Sequence, residues 1–142
     1  MEVLGLHFED LPAGKAGGSV PRTITSSDLD FFEEMTLWPK CETPEGRAVP
    51  EALVVMISAG LMTRQGIYEG TLLGIIGNKW KFKTTVLVGD TLKMSYVVTE
   101  ASLSRSKEKG IVIFKMTTTN QHGEIVAEGE MKTMMLARSS HT

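Results

Sequence analysis

The amino-acid sequence predicts an α+β domain in which a curled antiparallel sheet wraps one buried central helix. Three observations carry this: residues 52–62 are apolar on every side, the apolar period switches to two from Leu72 onward, and tight-turn residues separate the segments that follow. A helix without a polar face must be covered, and a run of strands joined by short turns covers it by curling around it.

With 142 residues and 42% apolar content, the chain can bury the core of one domain and has little room for a second, so residues 1–142 are read as a single unit. The net charge is −2 and no long basic run is present, which leaves nucleic acid without an electrostatic handle. Residues 1–18 carry Glu2, Glu9 and Asp10 and lack the charged-then-apolar pattern of a leader. The longest apolar run, 52–57, is too short to span a bilayer. The expectation is a cytoplasmic protein with no membrane partner. Cys41 is the one cysteine, so no internal disulfide can form, and with three scattered histidines it offers no metal-ligand spacing. Neither a metal nor a cofactor is expected.

Along the chain, the small-residue stretch 13–19 is a loop and 18–25 is a first strand. Ser26 and Ser27 offer helix caps, with Ser27 and Asp30 at capping-box spacing, ahead of a first helix over 27–37. Leu29, Phe32 and Met35 fall on one stripe of it, leaving Glu33 and Glu34 for solvent. Pro39, Pro44 and Gly46 make 38–49 a loop, and Pro50 then opens the central helix, 50–65, which ends at Gly66. From 72 to 136 a four-stranded antiparallel run follows. Asn78, Trp80, Phe82, Thr84 and Val86 alternate with Lys79, Lys81, Lys83 and Thr85, giving one packed and one wet face. Gly89-Asp90 is a turn, Leu92, Met94, Tyr96 and Val98 repeat the pattern, and 104–110 is a polar tip leading into a strand over 111–118. After a turn at 120–123, the last strand sets Glu128, Glu130 and Lys132 outward and Ile125, Ala127 and Met131 inward. One apolar helix followed by such a sheet is a hot-dog arrangement. Its edge strands carry unpaired backbone groups, and pairing two domains edge to edge covers them, so at least a dimer is expected.

Residues 80–92, Trp-Lys-Phe-Lys-Thr-Thr-Val-Leu-Val-Gly-Asp-Thr-Leu, resemble the signature of the MaoC-like enoyl-CoA hydratases, an aromatic strand running into Pro-Val and then Val-Gly-Asp-Thr-Leu. Thr85 stands where the family has the proline. Residues 25–35 are similar to the family's first helix, 46–53 to its Gly-Arg-Pro-Val-x-Pro-Gly-x-Leu opening of the hot-dog helix, and 120–124 to its final Asn-Gln-x-Gly-Glu turn. The resemblance covers roughly residues 8–136. It implies an acyl-CoA thioester as substrate or ligand, with contacts from Val49, Pro50 and Ala52 at the helix start and from Trp80 on the aromatic strand.

Two departures bear on activity. The family hydrates a 2-enoyl-CoA with an Asp and a His from an Asp-x-Asn-Pro-x-His loop after the first helix, a carboxylate and an imidazole sharing the proton transfers. Here that stretch reads Thr-Leu-Trp-Pro-Lys-Cys-Glu over 36–42, the Asp position falls near Trp38, and no histidine lies between His7 and His122. Where the family has a Gly at the helix start, whose backbone N–H meets the thioester carbonyl, this chain has Glu51. Glu51 is the candidate catalytic residue, as base or nucleophile toward an acyl thioester in the manner of several hot-dog thioesterases. Its plainer role is a first-turn acid favoured by the helix dipole.

The other chemistry-bearing residues have bland explanations. Asp90 belongs to a turn. His122 sits at a hairpin tip, His141 lies in the polar tail, and His7 either packs near the start or meets a partner. Cys41 has only Lys40 beside it in sequence to favour a thiolate. The methionines either fill core or line an acyl tunnel, and Lys79, Lys81 and Lys83 either meet CoA phosphates or face solvent. Three functions remain open: a non-catalytic acyl-thioester binder, including the inactive half of a heteromer with a catalytic hot-dog chain; an acyl-CoA thioesterase or dehydratase using Glu51; and an interaction module that has abandoned CoA.

Overall fold

The computed structural model of the chain describes residues 5–138. The antiparallel run is formed by β5 (Leu72–Phe82), β6 (Thr91–Leu103), β7 (Lys109–Thr119) and β8 (Ile125–Leu136). Two short strands, β1 (Ala16–Gly18) and β2 (Arg22–Thr23), both pair with β6. The sheet order is β1-β6-β7-β8-β5, with β2 beside β6. The single first strand expected over 18–25 is therefore two pieces. Pro21 lies between them and has no N–H to give a ladder.

Helix α1 (Ser26–Thr36) starts one residue earlier than its serines suggest. Thr25 is the cap: its hydroxyl accepts the Asp28 N–H at 3.2 Å, and the Asp28 carboxylate accepts the Thr25 N–H at 2.8 Å. Arg22 donates two further hydrogen bonds to that carboxylate, each at 2.8 Å, which is why Asp28 rather than Asp30 fills the reciprocal position. The Arg22 guanidinium, with help from the Thr25 backbone, holds the Asp28 carboxyl well below the usual carboxylate range against a smaller opposing effect of burial. The helix stops at Leu37, a left-handed residue (φ 61°, ψ 24°) whose N–H donates to the Glu33 carbonyl.

Helix α2 (Glu51–Thr63) runs across the concave side of the sheet. It buries Leu53, Val54, Ile57, Ser58, Leu61 and Met62 into a core with Leu92, Met94, Val112, Phe114, Met116 and Met131. Ser58 Oγ donates to the Val54 carbonyl at 2.8 Å and lies 2.7 Å from Thr118 Oγ1, so the polar atoms inside that core are partnered. The expectation that α2 is covered on all sides is corrected in one respect. Met56, Gly60 and Thr63 form an outward stripe, with Met56 49% exposed, because the sheet curls around one flank and only α1 partly covers the other.

Strand β5 is a sheet edge. In its second half Asn78, Trp80 and Phe82 pair with Met131, Gly129 and Ala127, but the packed face expected there is limited to Trp80, since Asn78 and Phe82 are exposed. Its first half carries two irregularities, between Leu72 and Gly74 and between Ile75 and Gly77, which leave Leu73, Ile75 and Ile76 exposed. A third, at Thr118/Thr119, turns Ile125 outward and buries Val126 in its place, against the inward position expected for Ile125.

Candidate functional site

A cleft of about 440 Å³ opens at the amino end of α2. One wall comes from the loop 37–49. That loop folds into a small hairpin, β3 (Glu42–Thr43) with β4 (Gly46–Arg47), which the absence of periodicity did not foretell. Arg47 anchors it: the guanidinium donates to Asp30 Oδ1 at 2.9 Å and to Glu33 Oε1 at 2.6 Å, tying the wall to α1. The carboxylates in turn hold the Arg47 guanidinium firmly protonated. Backbone bonds from the Val49 N–H to the Val86 carbonyl and from the Val88 N–H to the Arg47 carbonyl close the wall against 86–88. The opposite wall is Phe82 to Val86 with Val126.

Between the walls lie Val49, Pro50, Glu51 and Val54. Pro50 precedes the helix and has no side chain able to cap it, so the first N–H groups of α2 are left without a side-chain partner at the cleft. The exposed Glu51 carboxylate makes no hydrogen bond or ion pair among the described residues. Lys83 also lines the cleft, 3.7 Å from Glu128 Oε2. The Thr43 hydroxyl donates to the Gly46 carbonyl and the Thr84 hydroxyl to the Ile125 carbonyl, so both have only lone pairs to offer a ligand.

The structure thus brings Val49, Pro50 and Glu51 together on one cleft. Ala52 is half-buried just behind them and is not part of the lining. Trp80 is elsewhere: its ring covers Gly129 on the neighbouring strand and its Nε1–H donates to Asn78 Oδ1 at 3.0 Å. The aromatic residues that do reach the cleft are Phe82 and Trp38. Cys41, exposed, is also in the lining.

His7 is half-buried, and its backbone N–H donates to Asp10 in a single 3-10 turn, Phe8–Asp10. His122 is exposed at the β7–β8 turn. Neither lines the cleft, and His141 lies outside the described residues. Asp90 is tied into its turn, accepting from the Leu87 N–H at 2.9 Å and from Gln121 Nε2 at 2.8 Å. Lys79 stands 3.8 Å from Glu130 Oε2 and does not line the cleft. Among the described residues no group of three or more His, Cys, Asp or Glu side chains could hold a metal ion, and no helix is long and apolar enough to cross a membrane.

A helix opening a cleft against the concave side of a curled antiparallel sheet defines the hot-dog class. Solved structures of that class, MaoC-like dehydratases and (R)-hydratases among them, match nearly the whole chain. A monoamine oxidase regulatory protein from Archaeoglobus fulgius is 23% identical with a TM-score of 0.84, over 95% of this chain and 97% of that one. A MaoC-like dehydratase from Rhodospirillum rubrum is 24% identical (TM-score 0.78, 95% and 99% covered). An R-hydratase from Pseudomonas aeruginosa is 21% identical (TM-score 0.73, 94% and 88% covered). No protein-family model matches the sequence, and no curated protein does.

Proposed function

We propose that the chain binds an acyl thioester, such as an acyl-CoA, in the cleft at the start of α2, as a cytoplasmic MaoC-like protein without the hydratase Asp/His pair. The observation that carries this is the pairing of uncapped helix N–H groups with a cleft of mixed apolar and polar lining, while neither described histidine lines it. The helix end can polarise a thioester carbonyl, but no imidazole is there to move a proton to or from water. Val49, Pro50 and Ala52 frame the helix start in this reading, and Trp80 supports the fold rather than the ligand. A thermal-shift series with CoA and acyl-CoA esters tests it, because a ligand confined to the native state must raise its stability by mass action. No shift at any chain length favours the interaction module.

The same reading gives the chain a partner. The unpaired β5 edge and its exposed Leu73, Ile75 and Ile76 favour a second hot-dog domain docked along that edge. That domain is another copy of this chain or a catalytic hot-dog chain supplying the missing Asp and His. Sedimentation of the purified chain distinguishes these: a stable homodimer counts against the heteromer, whereas a monomer that pairs with such a chain and gains hydration activity supports it.

A second reading is favoured by Glu51, whose unpartnered carboxylate faces the cleft. There the chain is a thioesterase or dehydratase with Glu51 as base or nucleophile. Thiol release from acyl-CoA that disappears in Glu51→Ala supports it, and an unchanged rate removes Glu51 from the chemistry.

A further inference from the structure

Trp38 and Phe82 reach the cleft from different elements, the loop after α1 and the end of β5, and are 44% and 43% exposed. Trp38 is held rather than loose: its ring rests on Phe32 with centroids 5.8 Å apart and planes tilted by 50°. Ordering it on a ligand therefore costs less than ordering a free side chain. Its indole N–H has no partner among the described residues, unlike that of Trp80. The residue before it, Leu37, is a non-glycine in the left-handed region and 88% exposed, so backbone strain and an uncovered apolar side chain coincide at the lip of the cleft. The rest of the apolar lining is short: Ala48, Val49, Pro50, Val54, Val86 and Val126.

We propose that the acyl group taken by this cleft carries a flat, unsaturated ring, so that aryl-acyl thioesters bind in preference to saturated straight-chain ones. The inference rests on the acyl-thioester reading of the same cleft. A saturated chain gains only from burial, which scales with area. A ring gains the same burial and also stacks or meets edge to face with Trp38 and Phe82, whose quadrupoles favour aromatic partners. The unpartnered Glu51 carboxylate at the mouth opposes an acyl group with its own negative charge, so the ring is uncharged.

Phenylacetyl-CoA and octanoyl-CoA have the same number of acyl carbons, and octanoyl is the more hydrophobic, so burial alone predicts the opposite preference. Titration calorimetry on the purified chain is expected to show phenylacetyl-CoA binding about threefold to tenfold more tightly. Trp38→Ala should erase the preference and Trp38→Phe should keep most of it, with circular dichroism confirming that both variants fold. Equal or tighter binding of octanoyl-CoA to the unmodified chain overturns the ring preference and leaves the acyl-thioester reading standing. A preference that survives in Trp38→Ala removes Trp38 from the inference. Failure of both thioesters to bind overturns the ring preference and the reading beneath it together.

Discussion

The two tryptophans of this chain occupy opposite kinds of surroundings. Trp80 lies over Gly129, where any β-carbon would stand 2.6 Å from the indole ring, and its N–H is bonded to Asn78. Trp38 has Phe32 behind it, an open cleft in front and no partner for its N–H among the described residues. The first is consumed by the fold. The second is held in place with one face open to the cleft. Residue type alone distinguishes nothing here; what separates them is whether the neighbouring chain leaves room.

Stability measurements should divide along the same line. Trp80→Ala, which uncovers Gly129 and part of the core, is expected to cost about 2–3 kcal/mol by chemical denaturation, whereas Trp38→Ala costs less than about 1. Comparable losses would contradict the contrast. Gly129→Ala should cost about 1–2 kcal/mol, since the added methyl must displace the Trp80 ring, and its effect should shrink in a Trp80→Ala background. Thr25→Ala, which removes the α1 cap, should cost about 1 kcal/mol.

The Asp28 carboxyl in the same cap is held below its ordinary value near 3.8 by Arg22. Its stabilising contribution is therefore complete above the unfolded value and lost as pH falls below about 4. Acid titration of Asp28→Asn should show less loss of stability over that interval than the unmodified chain. The smallest effect is a gain: Leu37→Gly relieves the left-handed strain and should add about 0.5–1 kcal/mol, with little burial to lose.

Much of the architecture was legible in the alternation itself. Lys79 and Lys81 of β5 are exposed while Trp80 between them packs over Gly129, as the period of two requires, but Asn78 and Phe82 on the Trp80 face stay exposed because β5 is a sheet edge. The α1 cap was displaced by a competitor: Arg22 selects Asp28, and pairing across six residues leaves no mark in a local pattern. The bulges of β5 and the outward turn of Ile125 escaped for a similar reason, since an extra residue in one strand is defined only by its partner strand.

At the cleft, the meeting of 49–51 could be read from Pro50 opening an apolar helix. That Trp38 and not Trp80 lines this cleft leaves no mark in the linear pattern, because Trp80 is engaged by a glycine 49 positions later and Trp38 is placed by the path of an aperiodic loop. A periodic strand announces its packed face, while a loop's contribution depends on an ion pair such as Arg47 with Glu33, whose partners no spacing rule connects.

The hydroxyl pair inside the core has a directional consequence. Ser58 has one proton and gives it to the Val54 carbonyl, so Thr118 must supply the hydrogen between the two side chains. Sliding α2 along its axis by even one residue would strand that proton in a dry interior, at a cost of about 1–3 kcal/mol. The depth of the helix is thereby indexed against β7, and the distance from its first turn to the far wall becomes a fixed dimension of the molecule.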